Sequence, residues 1–100
     1  MMKITKTQYG SSMEIALEGR LDTESAPQLE AELKEDGLSG ITKLTFDFSK
    51  VEYITSAGLR VLLKARSGLK YGGELVVANT NELVREVFNV TGIASIITVT

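Results

Sequence analysis

The chain contains no cysteine, so neither a disulfide framework nor a thiolate metal site can be built from it. It contains no histidine either, which removes the commonest general base and the commonest neutral metal ligand. Lys and Arg are scattered rather than blocked, and the net charge is −2. Nucleic-acid binding needs a basic patch, and polybasic docking to a membrane needs a basic cluster, so neither is expected. No apolar run approaches the ~20 residues of a membrane-spanning helix, and the opening MMKITKTQYG lacks the apolar core of a signal peptide. A cytoplasmic location is therefore expected. Phosphate-loop and dinucleotide fingerprints are missing too: nothing fits G-x-x-x-x-G-K-[ST] or G-x-G-x-x-G. Asp22, Asp47 and Glu52 could cluster, but no spacing marks an acid–base pair. No enzyme, cofactor or metal site is expected.

What is present suits one small globular domain. The 100 residues are 43% hydrophobic and 24% charged, ordinary for a soluble fold with a single core. Residues 4–9 read as a first strand, with weak alternation. Gly10, Ser11 and Ser12 supply turn chemistry. Met13, Ile15 and Leu17 then alternate with Glu14, Ala16 and Glu18, the pattern of a half-buried strand. So short a connection predicts a hairpin. Gly19-Arg20-Leu21-Asp22 leaves that strand, and Asp22, Thr23 or Ser25 can cap a helix whose buried face carries Ala26, Leu29 and Leu33. Pro27 is tolerated in a first turn, and Gly37 suits the C′ position.

The stretch 44–63, LTFDFSKVEYITSAGLRVLL, changes period once. Leu44, Phe46 and Phe48 alternate with polar residues, so 43–48 reads as a strand. Leu59, Leu62, Leu63 and Leu69 recur at helical spacing, which predicts a helix running to about Lys70 and stopped by Gly72-Gly73. Arg66 falls inside that apolar stripe, where snorkelling along the helix edge would accommodate it. Thr55 and Ser56 are both suitable N-caps. Gly58, a poor helix former in a first turn, points to close approach by another backbone or a partner. Ser56 reads either as a cap alone or as a hydroxyl at the positive end of a helix, where a phosphate is tolerated. Downstream, the apolar run 75–78 suggests a central strand covered on both faces. Asn79 and Glu82 have capping-box spacing. Leu83, Val84, Val87 and Phe88 form the next helical stripe, Gly92 ends it, and 96–99 reads as a last strand. The expected class is α/β, a single domain over residues 1–100 with a mixed sheet in the order β-β-α-β-α-β-α-β, packed by helices.

D-F-S-K-V-E-Y-I-T-S-A-G-L-R-V-L-L resembles the signature of the STAS domain, the fold of bacterial anti-sigma factor antagonists, which runs roughly Asp-x-Ser-x-Val-x-x-Ile-Asp-Ser-x-Gly-Leu-x-x-Leu. Asp47, Ser49, Val51, Ile54, Ser56, Gly58, Leu59 and Leu62 fall on it. Gly19-Arg20-Leu21-Asp22 is similar to the family's upstream Gly-x-Leu-Asp, and residues 79–92 resemble its final helix and turn, so the likeness covers essentially the whole chain. It departs at Thr55, where phosphorylated antagonists usually carry Asp. The resemblance implies an anti-anti-sigma factor that binds an anti-sigma factor, a serine kinase, and so frees a sigma factor. It implies phosphorylation of Ser56, with Thr55 as second candidate, reversal by a serine phosphatase, and a partner surface of Asp22, Thr55, Ser56, Ala57, Gly58 and Arg60. By spacing alone Asp22 is a helix cap; by resemblance it is an acidic group near the Ser56 surface. The alternative is a STAS binding or scaffold module used without phosphorylation, in which Ser56 is only a cap. A small-molecule sensor has no support beyond the fold class.

Overall fold

The computed structural model describes residues 2–36, 38, 40–69 and 72–100, with backbone alone at 35 and 36. The expected C′ role of Gly37 lies outside the described residues. The opening hairpin pairs β1 (Lys3–Tyr9) with β2 (Ser12–Leu21), in register from Lys3 opposite Glu18 to Tyr9 opposite Ser12. β2 is longer than the alternation at Met13, Ile15 and Leu17 suggested. It continues through Gly19-Arg20 to Leu21, with register irregularities after Ala16 and after Gly19. α1 (Ala26–Asp36) follows, burying Ala26, Leu29 and Leu33 as its spacing required.

β3 (Lys43–Ile54) is twice the expected length. Its buried residues run Leu44, Phe46, Phe48, then Val51 and Ile54. The step between them lengthens from two residues to three where β3 carries more residues than its partner β2. Such bulges keep a strand paired while its side-chain alternation is broken, and the broken alternation made 49–54 look like a loop. α2 (Ser56–Gly68) buries Gly58, Leu59, Val61, Leu62 and Ala65. It ends before the expected position because Leu69 is extended, its N–H bonded to the Arg66 carbonyl. Leu63 and Leu69 pack against the core from its edge, and Arg66 is half-buried.

β4 (Glu74–Ala78), α3 (Glu82–Thr91), a 3-10 turn at Ile93–Ser95 and β5 (Thr98–Val99) complete the chain. The expected capping box at Asn79 is corrected. Asn81 is the N-cap and accepts from the Val84 N–H at 2.8 Å, while Asn79 takes a left-handed φ of 61° in the connection before it. Gly92 does end α3, in the left-handed conformation at φ 77°. Leu83 is corrected as well: it is 53% exposed, and Val84 and Phe88 carry the buried face. The last strand is shorter than expected, because Ile96 belongs to the end of the 3-10 turn.

Spatial order follows chain order, β1-β2-β3-β4-β5, antiparallel only at the hairpin. Three successive crossovers step in one direction. Right-handed crossovers that all step the same way lay their helices on the same face. Met13, Leu44 and Leu75 share that face, as do Ile15, Phe46 and Val77, and they join the buried helix residues in one core. The other face carries Thr5, Glu14, Thr45 and Asp47. β4 is therefore not sandwiched: Leu75 and Val77 are buried, Val76 and Ala78 only half-buried. Among the described residues, no helix is long and apolar enough to cross a membrane.

Candidate functional site

The β3–α2 junction is fastened to the end of β2. The Thr55 N–H donates to the Leu21 carbonyl at 3.0 Å, and the Thr55 carbonyl accepts from the Leu59 N–H at 3.0 Å to begin the helix. Thr55 is thus the N-cap by backbone geometry, with φ −107° and ψ 175°, yet its side chain makes no cap bond. Its Oγ1 is buried without a hydrogen-bond partner. Ser56 occupies the first helical position, not the cap, and is exposed. The reading of Ser56 as an N-cap is corrected on this point.

Gly58 lies beneath the junction, buried. A Cβ built there would stand 2.7 Å from Leu21 Cγ, 2.9 Å from Ile54 Cγ1 and 2.9 Å from the Leu21 carbonyl oxygen. The close approach that its spacing suggested is real, but the approaching group is the end of β2 in the same chain. Gly58 therefore shapes the surface from below by letting α2 start hard against Leu21. Ala57 is half-buried and Arg60 exposed, one turn beyond Ser56. Together they line a groove of about 490 Å³ against α1, whose far side carries Pro27, Glu30 and Lys34. Glu30 bridges the helices, accepting from Lys64 at 3.2 Å and lying 3.5 Å from Lys34.

Asp22 follows Leu21 directly and so stands beside the junction, but its carboxylate is used locally. Oδ1 accepts from the N–H groups of Ser25 and Glu24, each at 3.0 Å, and lies 3.2 Å from Ser25 Oγ. The Asp22 N–H donates to Ser25 Oγ at 2.9 Å, and that hydroxyl donates to the Arg20 carbonyl at 2.6 Å. The Ser25 N–H, foremost, holds the Asp22 carboxyl below its ordinary range. Asp22 is a cap of the turn into α1. It also borders a second opening, about 510 Å³, lined by Arg20, Glu24, Gln28 and Glu52.

Asp47 is tied down elsewhere. Its Oδ1 accepts from Asn79 Nδ2 and from the Ser49 N–H, both at 3.0 Å. These bonds, Asn79 first, lower its pKa. So Asp22 closes the turn into α1 and Asp47 ties the irregular stretch of β3 to Asn79 after β4, and among the described residues no group of acidic side chains could hold a metal ion. Spacing overlooked Tyr53, which is 41% exposed and opposite Arg20 in the β2–β3 pairing. It also overlooked Asn81, whose Nδ2 donates to the carbonyls of Val51 and Glu52 and joins α3 to the bulged end of β3. A period-two reading carries no signal for either, because both depend on the strand continuing past Phe48.

A family model described as the MlaB, STAS domain matches residues 4–98. The anti-sigma factor antagonist assigned as BtrV in Bordetella bronchiseptica is 38% identical over 96 residues, covering 95% of this chain and 83% of that protein. An anti-sigma factor antagonist from Mycobacterium paratuberculosis superposes with a TM-score of 0.88 at 20% identity, over 99% of this chain and 85% of that one. The unphosphorylated form of the anti-sigma factor antagonist SpoIIAA superposes at 0.82 and 20% identity, over 98% of this chain and 88% of that one. The phosphorylated form of SpoIIAA, a Bacillus cell fate determinant, gives 0.72 at 18% identity, over 98% and 91%. With its one-sided mixed sheet and its β3–α2 junction, the chain belongs to the STAS domain family, among relatives assigned as anti-sigma factor antagonists.

Proposed function

We propose that this protein is an anti-sigma factor antagonist, switched off by phosphorylation of Ser56. The observation that carries the reading is Ser56 itself, exposed in the first turn of α2 on a backbone pinned by the Thr55–Leu21 bond. In the unphosphorylated state the surface around Thr55, Ser56, Ala57 and Arg60 binds the anti-sigma factor in the cytoplasm, and the sigma factor is released. Gly58 and Asp22 set the shape of that surface rather than its chemistry.

The anti-sigma factor acts as a serine kinase. The Ser56 oxygen forms a bond to the γ-phosphorus of ATP, the bond from that phosphorus to the bridging oxygen of ADP breaks, and the hydroxyl proton passes to a base on the kinase. A serine phosphatase restores the hydroxyl with water. Here the chain acts as substrate and ligand, not as catalyst. The new group brings about −1.5 to −2 charges. The fold tolerates it, because the first N–H groups and the dipole of α2 favour an anion there. A fitted partner surface does not, since the phosphate would have to be desolvated at its centre.

Incubation with the kinase and labelled ATP tests this. Label is expected on the wild type and on Thr55→Ala but not on Ser56→Ala. Label that persists in Ser56→Ala would sink the reading. The competing use, an unmodified binding module, draws on Thr55 standing where phosphorylated antagonists carry Asp; it would show no label on any variant and full affinity in Ser56→Asp.

A further inference from the structure

We propose that Arg60 holds the phosphate of phosphorylated Ser56, so that modification removes a free cation from the partner surface while it adds an anion. The proposal rests on Ser56 being the modified residue. Ser56 and Arg60 are both exposed and lie at i and i+4 on α2, a spacing that sets side chains on one helical face with their Cβ atoms ~5–6 Å apart. A phosphoserine and a guanidinium easily span that interval, and Arg pairs with phosphate through a two-pronged set of charged hydrogen bonds.

The neighbouring charges leave Arg60 to this role. Lys64, one turn further along α2, is engaged with Glu30 at 3.2 Å, and Lys34 of α1 lies 3.5 Å from the same carboxylate. Glu30 already has two cations. Asp22 is satisfied by the N–H groups of its own turn. Among the described residues, Arg60 itself has no ion pair or side-chain hydrogen bond. An uncommitted guanidinium therefore stands one turn from the hydroxyl, beside a groove lined by Ala57. Before modification it is available to an acidic group on the partner. Afterwards it is neutralised from within the same helix.

The test uses the full chain with phosphoserine installed at position 56 during translation, so no kinase is needed. Phosphorus NMR follows the second ionisation, ordinarily near ~6. In the wild-type background it is expected to fall by about half a pH unit or more, because a nearby positive charge favours the dianion. Arg60→Gln should return most of that shift, Arg60→Lys should retain part of it, and Arg66→Gln should leave it in place. The dipole of α2 is common to all these variants, so the difference isolates Arg60. An ionisation that is the same in the wild type and in Arg60→Gln overturns the pairing and leaves kinase labelling of Ser56 unaffected. Failure of the kinase to label Ser56 would sink the functional reading without moving this titration.

Discussion

On the proposed function, single residues at the junction divide into those that shape it and those that meet a partner, and substitution should separate them. Gly58→Ala would gain up to ~1 kcal/mol of helix propensity. It would also put a methyl group 2.9 Å from the Leu21 carbonyl oxygen, which cannot retreat without losing its bond from Thr55. Overpacking of this kind costs ~1–3 kcal/mol. The urea midpoint of Gly58→Ala should therefore fall, and a midpoint at or above wild type would show that α2 can slide away from β2. Ser56→Asp places a carboxylate in the first turn, where the dipole contributes ~0.3–1 kcal/mol. Its melting temperature should be unchanged or slightly raised, while anti-sigma affinity measured by calorimetry drops at least about tenfold, or ~1.4 kcal/mol. Thr55 and Ser56 illustrate what spacing can and cannot give. Two adjacent hydroxyls before a helix mark a terminus, but only backbone geometry decides that Thr55 is the cap and that Ser56 is the exposed first residue of α2.

The elements most visible in the sequence are those whose periodicity is unbroken. The hairpin, the buried face of α1 and the Gly92 stop of α3 follow from alternation, from 3.6-residue spacing and from glycine's tolerance of a left-handed φ. The second half of β3 was hidden because bulges change the interval between buried residues, from Phe48 to Val51 to Ile54, into one that resembles neither strand nor helix. The one-sided sheet was hidden for a different reason. The apolar run at 75–78 is consistent with two covered faces, and only the common direction of three crossovers leaves one uncovered. Helix packing yields a direct test at Leu62, fully buried on α2: Leu62→Ala should cost ~2–5 kcal/mol in denaturant unfolding, and an unchanged midpoint would place the core face elsewhere. Asn81→Ala should cost ~1–2 kcal/mol through loss of the α3 cap. Because Asn81 also donates to Val51 and Glu52, hydrogen exchange should accelerate in residues 51–54 as well as in the first turn of α3.

Across the whole molecule, acid should act through carboxylates held by local hydrogen bonds. Asp22 and Asp47 both have pKa values below the ordinary 3.8, so the unfolded chain takes up their protons before the folded one does. Their contribution is complete above about pH 4, and it is lost as pH falls through the folded values. The melting temperature should decline on acidification below that point, and less steeply in Asp47→Asn than in wild type; parallel curves would mean that Asp47 is not among the groups responsible. The bond from Thr55 to Leu21 has a consequence of another kind. The serine and the strand end that fixes it are more than thirty positions apart in the chain, which makes the junction a discontinuous epitope. A linear peptide covering residues 47–63 would have every letter of the motif and none of its shape. On the proposed function, such a peptide should be a poor kinase substrate and a poor competitor for the anti-sigma factor, because it lacks the strand end whose bond to Thr55 fixes the backbone beside Ser56.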